Sequence, residues 1–311
     1  MPDPLIECVP NFSEGRRPEV IEAIVSSMHV EGVRLLDYSL DADHNRSVVT
    51  IAGAPAAVVE SAVRAAGRAS ELIDLTTQEG VHPRIGAADV IPFVPVRDVS
   101  LEQCVILARQ AGNEIWNRHQ VPVYFYEAAA ARPDRVMLEE VRRGQFEGLR
   151  DAVHREPARR PDVGGPSLHP TAGASAVGAR RFLIAFNLYL DTAEVAVARA
   201  IAREIRQSGG GLAGVKARGV SAHGQAQVSM NITDFTRTPV GQVFNAVKEK
   251  ARKHGAAPAS AELIGLLPEA ALERNSEWLR LLGDGGFDPE EKVLERRLEH
   301  PLAWPAGSEQ R

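Results

Sequence analysis

The chain has 311 residues, 44% hydrophobic and 25% charged, with a formal net charge of -5; it can bury a substantial core and has the length of roughly two domains. The weakly acidic balance, with no concentrated Lys/Arg run, offers no electrostatic footprint for nucleic acid. The longest apolar stretch, Phe182 to Leu190, is interrupted by Asn187 and falls short of the ~20 residues a spanning helix needs, so no membrane partner is expected.

Met1-Pro2-Asp3-Pro4 lacks the basic region and apolar core of an export signal, which predicts a cytoplasmic protein. Leu5 to Val9 reads as a short buried strand, Pro10 to Gly15 as a polar turn, and Pro18 to Met28 as an apolar-periodic helix. Val33 to Tyr38 and Ser47 to Ile51 are β-branched runs flanking Asp41-Ala42-Asp43-His44-Asn45, and Ala54 to Ala69 is an alanine-rich helix. Val90 to Val96 predicts a strand, Leu101 to Arg118 a helix and Val121 to Tyr126 a further strand. The proline- and glycine-rich stretch Gln145 to Pro170 reads as a loop or linker dividing the chain. Beyond it come a strand from Phe182 to Asn187, a helix from Thr192 to Gln207, strands over Leu212 to Val220 and Gln225 to Ile232 joined at His223-Gly224, and a helix from Pro239 to His254.

The order βαββα thus occurs twice. The fold class expected is α/β of the α+β sandwich type: two related βαββα subdomains, each a mainly antiparallel sheet with helices on one face. Asn11 and Asn187 each end a first strand on this reading, either capping loops or pointing polar groups into a cleft between the halves.

Cys8 and Cys104 are too few for a disulfide framework and lie in apolar stretches, as buried free thiols do. The nine histidines show no HExxH, and no Cys-x-x-Cys occurs, so no metal is expected and the chemistry falls to side chains. Gly209-x-Gly211-x-x-Gly214 has the string of a dinucleotide fingerprint but follows a helix and precedes a strand, the reverse of the required context. Gly173 to Gly178 has one residue too many for a nucleophile elbow.

His82 stands out. Gly80-Val81-His82-Pro83-Arg84-Ile85-Gly86 sets an imidazole two positions from a guanidinium on a backbone framed by glycine and proline, suited to proton transfer on an anionic substrate. Arg84 and Arg46 either clamp substrate carboxylates bidentately or form internal ion pairs with Asp37, Asp41 or Asp43. Asn11 and Ser13, in a short loop entering a helix, can meet an anion with side-chain and backbone N–H groups.

The segments Glu7-Cys8-Val9-Pro10-Asn11-Phe12-Ser13-Glu14-Gly15-Arg16, Asn45-Arg46, His82-Pro83-Arg84-x-Gly86-Ala87, Gly178 to Asn187 and Gln225 to Asn231 together resemble the glutamate formiminotransferase family from Leu5 to about Leu282. That resemblance implies transfer of a formimino group from N-formimino-L-glutamate to N5 of tetrahydrofolate, the co-substrate, giving 5-formiminotetrahydrofolate and glutamate in histidine degradation. It makes His82 the catalytic acid/base. Asn11, Ser13, Asp43, Asn45, Arg46 and Arg84 become substrate-binding residues, and Gly164, Gly165, Pro166, Ser167, Leu168, His169, Pro170, Thr171, Ala172 and Gly173 the folate-binding loop. It implies subdomains over 1–180 and 181–290 with a peripheral tail over 291–311, a homodimer, and a separate cyclodeaminase acting on the product. Two other readings stay open: formyl transfer from N-formyl-L-glutamate, and a folate-binding protein without catalysis. One departure is Ser39, where the fused members of the family carry an acidic residue; Asp41 or Asp43 is left to supply a carboxylate.

Overall fold

The chain folds from an interrupted first strand outward. In the computed structural model, which describes residues 3–274, 276–282 and 287–306, β1 (Leu5–Cys8) stops at Val9-Pro10, because proline has no N–H for the ladder. The strand resumes as β2 (Asn11–Phe12), where the sequence predicted a turn, and both pieces lie antiparallel between the same two neighbours. α1 (Pro18–Ser27) follows, entered through Glu14, whose Oε1 accepts the Arg16 and Arg17 N–H groups at 2.8 and 3.0 Å. Then come β3 (Val33–Asp41), β4 (Arg46–Gly53), α2 (Pro55–Leu72) and β5 (Ala88–Arg97). Across this sheet the order is β3, β4, β1/β2, β5, all antiparallel, the arrangement of a split βαββαβ unit.

The first unit then grows past β5. α3 (Leu101–His119) opens with a reciprocal cap between Ser100 and Gln103 and leads to β6 (Val123–Glu127). α4 (Leu138–Val141) and α5 (Gln145–Arg155) precede β7 (Ser175–Ala179), which pairs in parallel with both β5 and β6, so this sheet of seven strands is mixed at one side. α5 corrects the expected linker: Phe146, Leu149 and Val153 recur at helical spacing and are buried. The stretch belongs to the first unit, and the chain divides after Arg180 instead. α1, α2 and α3 pack side by side and close one core with the sheet.

The second unit repeats the plan without the extension. β8 (Ile184–Leu190), α6 (Val195–Ile205), β9 (Val215–Ala222), β10 (Gln225–Ile232), α7 (Val240–Lys253) and β11 (Pro258–Ile264) give the antiparallel order β9, β10, β8, β11, the same split βαββαβ topology. β11 adds a strand that the sequence did not predict. Asn187 sits in mid-strand rather than at a strand end, its amide donating to Glu262 at 3.0 Å. α8 (Pro289–Lys292) and α9 (Leu294–Glu299) flank the buried Val293, α9 opens on the buried Leu294, and Leu267 is bonded to both Lys292 and Leu294. From Pro301 the chain rejoins the first unit, where Leu302 N–H donates to Leu35 at 2.8 Å and Trp304 stacks on His29. The expected tail over 291–311 therefore divides between the two units; residues 307–311 lie outside the described residues.

Candidate functional site

The connection from α2 to β5, residues 73–87, carries His82 and is fastened at many points. Leu75 N–H donates to Thr171 at 2.8 Å, and Asn45 Nδ2 donates to the Glu79 carbonyl at 2.8 Å while the Gln78 amide donates back to the Asn45 carbonyl at 3.0 Å. Asn45 holds φ 48°, a left-handed position its short amide tolerates, and its Oδ1 also takes the Gly15 N–H at 2.9 Å. At the other end, Asp89 Oδ1 accepts from Ile85 and Gly86 N–H, and its Oδ2 faces Arg142. Ser13 closes the turn, its hydroxyl donating to the Gly86 carbonyl at 2.7 Å and its N–H to Ala87 at 2.9 Å.

Arg84 is the loop's main fastener. Its Nε donates to Gln78 Oε1 at 2.6 Å, one terminal nitrogen to the Gln78 carbonyl and Glu147 Oε1, the other to Glu147 Oε2 and Gln145, which engages every N–H of the guanidinium. Glu147 is in turn held below the usual carboxylate range by that guanidinium. None of Asp37, Asp41 or Asp43 appears among these partners; a substrate carboxylate would reach Arg84 only by displacing Glu147, whose side chain is 58% exposed.

Between these fastenings His82 is half-buried and the preceding Val81 is exposed. Arg46 Nη1 lies 3.4 Å from His82 Nδ1 and 3.3 Å from Nε2. An atom equidistant from both nitrogens cannot lie in the ring plane without striking the carbon between them, so the guanidinium rests over the imidazole face. His44 meets the same ring at 6.3 Å between centroids and 68° between planes. His44 is itself held by Asp41, at 2.6 Å to its Nδ1 and 2.9 Å to its backbone N–H.

The stretch 164–173 runs beside this loop. Ala87 N–H donates to Ala172 at 2.9 Å, Ala174 N–H to Ile85 at 2.9 Å, and Gly86 bridges Gly173. His169 Nδ1 accepts the Ala172 N–H at 3.0 Å, so its proton sits on Nε2, and burial pushes this imidazole below its ordinary range. Leu168, Ala172 and Gly173 are buried; Gly165, Pro166, Ser167 and Pro170 are exposed.

The fold thus brings Ser13, Asn45, Arg46, His82, Arg84 and the 169–173 end of the second loop together within one unit. Asn11 turns its amide to the Val9 carbonyl at 2.8 Å, and Asp43 is exposed in the β3–β4 turn. The sequence reading did not single out His44, Gln78 or Glu147; only the adjacency of His44 to Asn45-Arg46 offered a signal. Cys8 and Cys104 are buried free thiols, the first pushed well up by burial and the second to about 11, which disfavours the nucleophilic thiolate. Among the described residues no group of three or more His, Cys, Asp or Glu is placed to hold a metal, and no helix is long and apolar enough to cross a membrane.

Two split βαββαβ units, one of which sets the His82 imidazole of a fastened loop against the Arg46 guanidinium at the start of β4, define an α/β protein with groups that can exchange a proton and meet an anion. Residues 5–180 match the family model of the formiminotransferase domain, N-terminal subdomain, and residues 185–295 that of the formiminotransferase domain; the chain belongs to the formiminotransferase family. It is 43% identical over 297 residues to the glutamate formimidoyltransferase of Streptococcus pyogenes serotype M1, covering 94% of this chain and 98% of that one. Against the glutamate formimidoyltransferase of Thermoplasma acidophilum the identity is 41% over 300 residues, covering 95% and 97%. The formimidoyltransferase-cyclodeaminase of Mus musculus is 41% identical over 277 residues, which cover 86% of this chain and 51% of that one, so the chain spans about half the length of such relatives.

Proposed function

We propose that this enzyme moves the formimino group of N-formimino-L-glutamate to N5 of tetrahydrofolate and releases L-glutamate, with His82 as the acid/base. The observation that carries the reading is the placement of His82 on a loop hydrogen-bonded along the 169–174 stretch, which the family resemblance makes the folate loop.

In the reaction the N5–C bond forms as the folate nitrogen attacks the amidine carbon, and the C–N bond to glutamate breaks. N5 must lose a proton and the leaving nitrogen must gain one, so one imidazole serves both halves. His82 takes the N5 proton at a ring nitrogen and returns it to the glutamate nitrogen. Arg46, over the face of that ring, is within reach of a substrate carboxylate. Ser13 and Asn45 shape the loop rather than the reaction, since both spend their side chains on backbone groups.

The pterin fits the loop's chemistry: Gly165, Pro166 and Ser167 are exposed and carry little side chain, which leaves backbone groups open to a flat ring. The same reading places the enzyme in the cytoplasm as a homodimer and passes its product to a cyclodeaminase, the activity that some relatives carry in their name. The test is glutamate release from N-formiminoglutamate and tetrahydrofolate. The wild type releases glutamate and His82→Asn is slower by roughly 10² to 10⁴-fold; equal rates for the two proteins remove His82 from the chemistry, and release only from N-formylglutamate replaces the donor.

A further inference from the structure

The β3–β4 turn supplies a second imidazole to the site. Asp41, the last residue of β3, accepts the His44 backbone N–H through Oδ1 and faces the His44 ring through Oδ2, at 2.9 and 2.6 Å. A carboxylate that close to Nδ1 keeps the proton on Nδ1 and stops the ring from turning. The fixed ring then packs against His82 at 6.3 Å and 68°, an arrangement of edge to face. The guanidinium of Arg46 also lies on the His82 ring. Arg46 is a cation, and a cation over the ring opposes the imidazolium that proton transfer creates.

We infer that Asp41 and His44 form the positioning device for His82. Asp41 fixes His44, and His44 holds the His82 imidazole in the orientation that proton transfer needs. Asp41 also places a negative charge one ring away, which offsets the Arg46 cation when His82 is protonated. The logic is that of a catalytic triad, with an extra imidazole between the carboxylate and the base. Neither Asp41 nor His44 needs to touch substrate. The inference rests on His82 being the acid/base.

The experiment compares Asp41→Asn and His44→Asn, each alone and combined with His82→Asn, in the full chain with tetrahydrofolate and N-formiminoglutamate. The expected result is a fall in kcat of about 10 to 100-fold with KM changed less than roughly two-fold, and no further fall in the His82→Asn background. Unchanged kcat, or the same loss with and without His82, overturns the inference, because a merely structural role costs activity in both backgrounds. Should His44→Asn fold poorly, the near-isosteric Asp41→Asn carries the test. Ring-nitrogen NMR of ¹⁵N-histidine-labelled protein without substrate separates the two readings. If the wild type releases no glutamate, the proposed reaction fails by itself. The His82 nitrogen signals must still move on Asp41→Asn, and unmoved signals overturn the positioning role.

Discussion

The two units share one topology and differ at one end of it. In a split βαββαβ unit, the first strand-to-helix connection, the central hairpin and the last helix-to-strand connection emerge together. In the first unit these are residues 13–17, 42–45 and 73–87; in the second they are 191–194, 223–224 and 254–257. Every member of the first set is longer, and each contributes to the site: Ser13 from the first, His44 and Asn45 from the second, His82 and Arg84 from the third. The second unit keeps minimal turns, and that end of it holds a shallow cavity of about 210 Å³ lined by Tyr189, His223, Gln225, Ser260 and Glu262. The same fold therefore serves once as a scaffold for a built loop cluster and once as a plain sheet, the first unit having longer loops at this end and an extension past β5 whose Glu147 and 169–174 stretch fasten them.

That contrast can be broken most forcefully at its histidines. His82→Asn is expected to cost roughly 10² to 10⁴-fold in kcat, whereas His223→Asn, in the second unit's hairpin turn that answers to 42–45, should leave glutamate release within about two-fold. A large loss at His223 would mean that both ends work.

Glycines sharpen the contrast through stability. Gly173 has φ +69° and a Cβ there would lie 2.1 Å from the Ile85 carbonyl, while Gly224 has φ +73° with nothing within 4 Å. Gly173→Ala should lower the unfolding free energy by about 3 kcal/mol, since backbone strain and a backbone clash add. Gly224→Ala pays only the left-handed penalty of about 1 kcal/mol. Urea midpoints at constant m-value measure both; equal shifts would mean that the 169–174 contact to the His82 loop is loose.

Arg84 gives a smaller effect than Gly173. Because Glu147 is exposed, their ion pair is screened, and most of the cost of Arg84→Met comes from the Gln78 carbonyl left without its donor, about 2 kcal/mol or less. The pair's share has a definite sign. A carboxylate held below its usual range stabilises at neutral pH, and that share is lost as pH falls through the lowered range. A lower Tm with KM little changed is expected; a KM raised more than about tenfold at unchanged Tm would assign the guanidinium to substrate.

Local patterns made most of the fold legible. The β-branched run at Val33 to Tyr38, the alanine-rich helix after Ala54 and the hairpin at His223-Gly224 needed only their own residues. β7 was hidden because Ser175 to Ala179 are small, and they are small because β7 is buried between two parallel neighbours, where a Cβ on Gly178 would strike the Tyr126 ring. α5 was hidden by the prolines and charges around it, although Phe146, Leu149 and Val153 keep the helical spacing. In the site, His82 was visible through its Gly/Pro frame. The employment of Arg84 was not, because Glu147 lies 63 residues away in sequence and only the fold joins them. His44 looked like any polar turn residue until the hairpin set its ring against His82.

The most direct measurement is a crystal structure of the protein with tetrahydrofolate bound. N5 should lie within about 3.2 Å of a His82 ring nitrogen, or one water away, with the pterin against the 164–173 loop. A pterin seated at the Tyr189, His223 and Glu262 cavity, with His82 out of reach, would contradict the assignment of the reaction to the first unit.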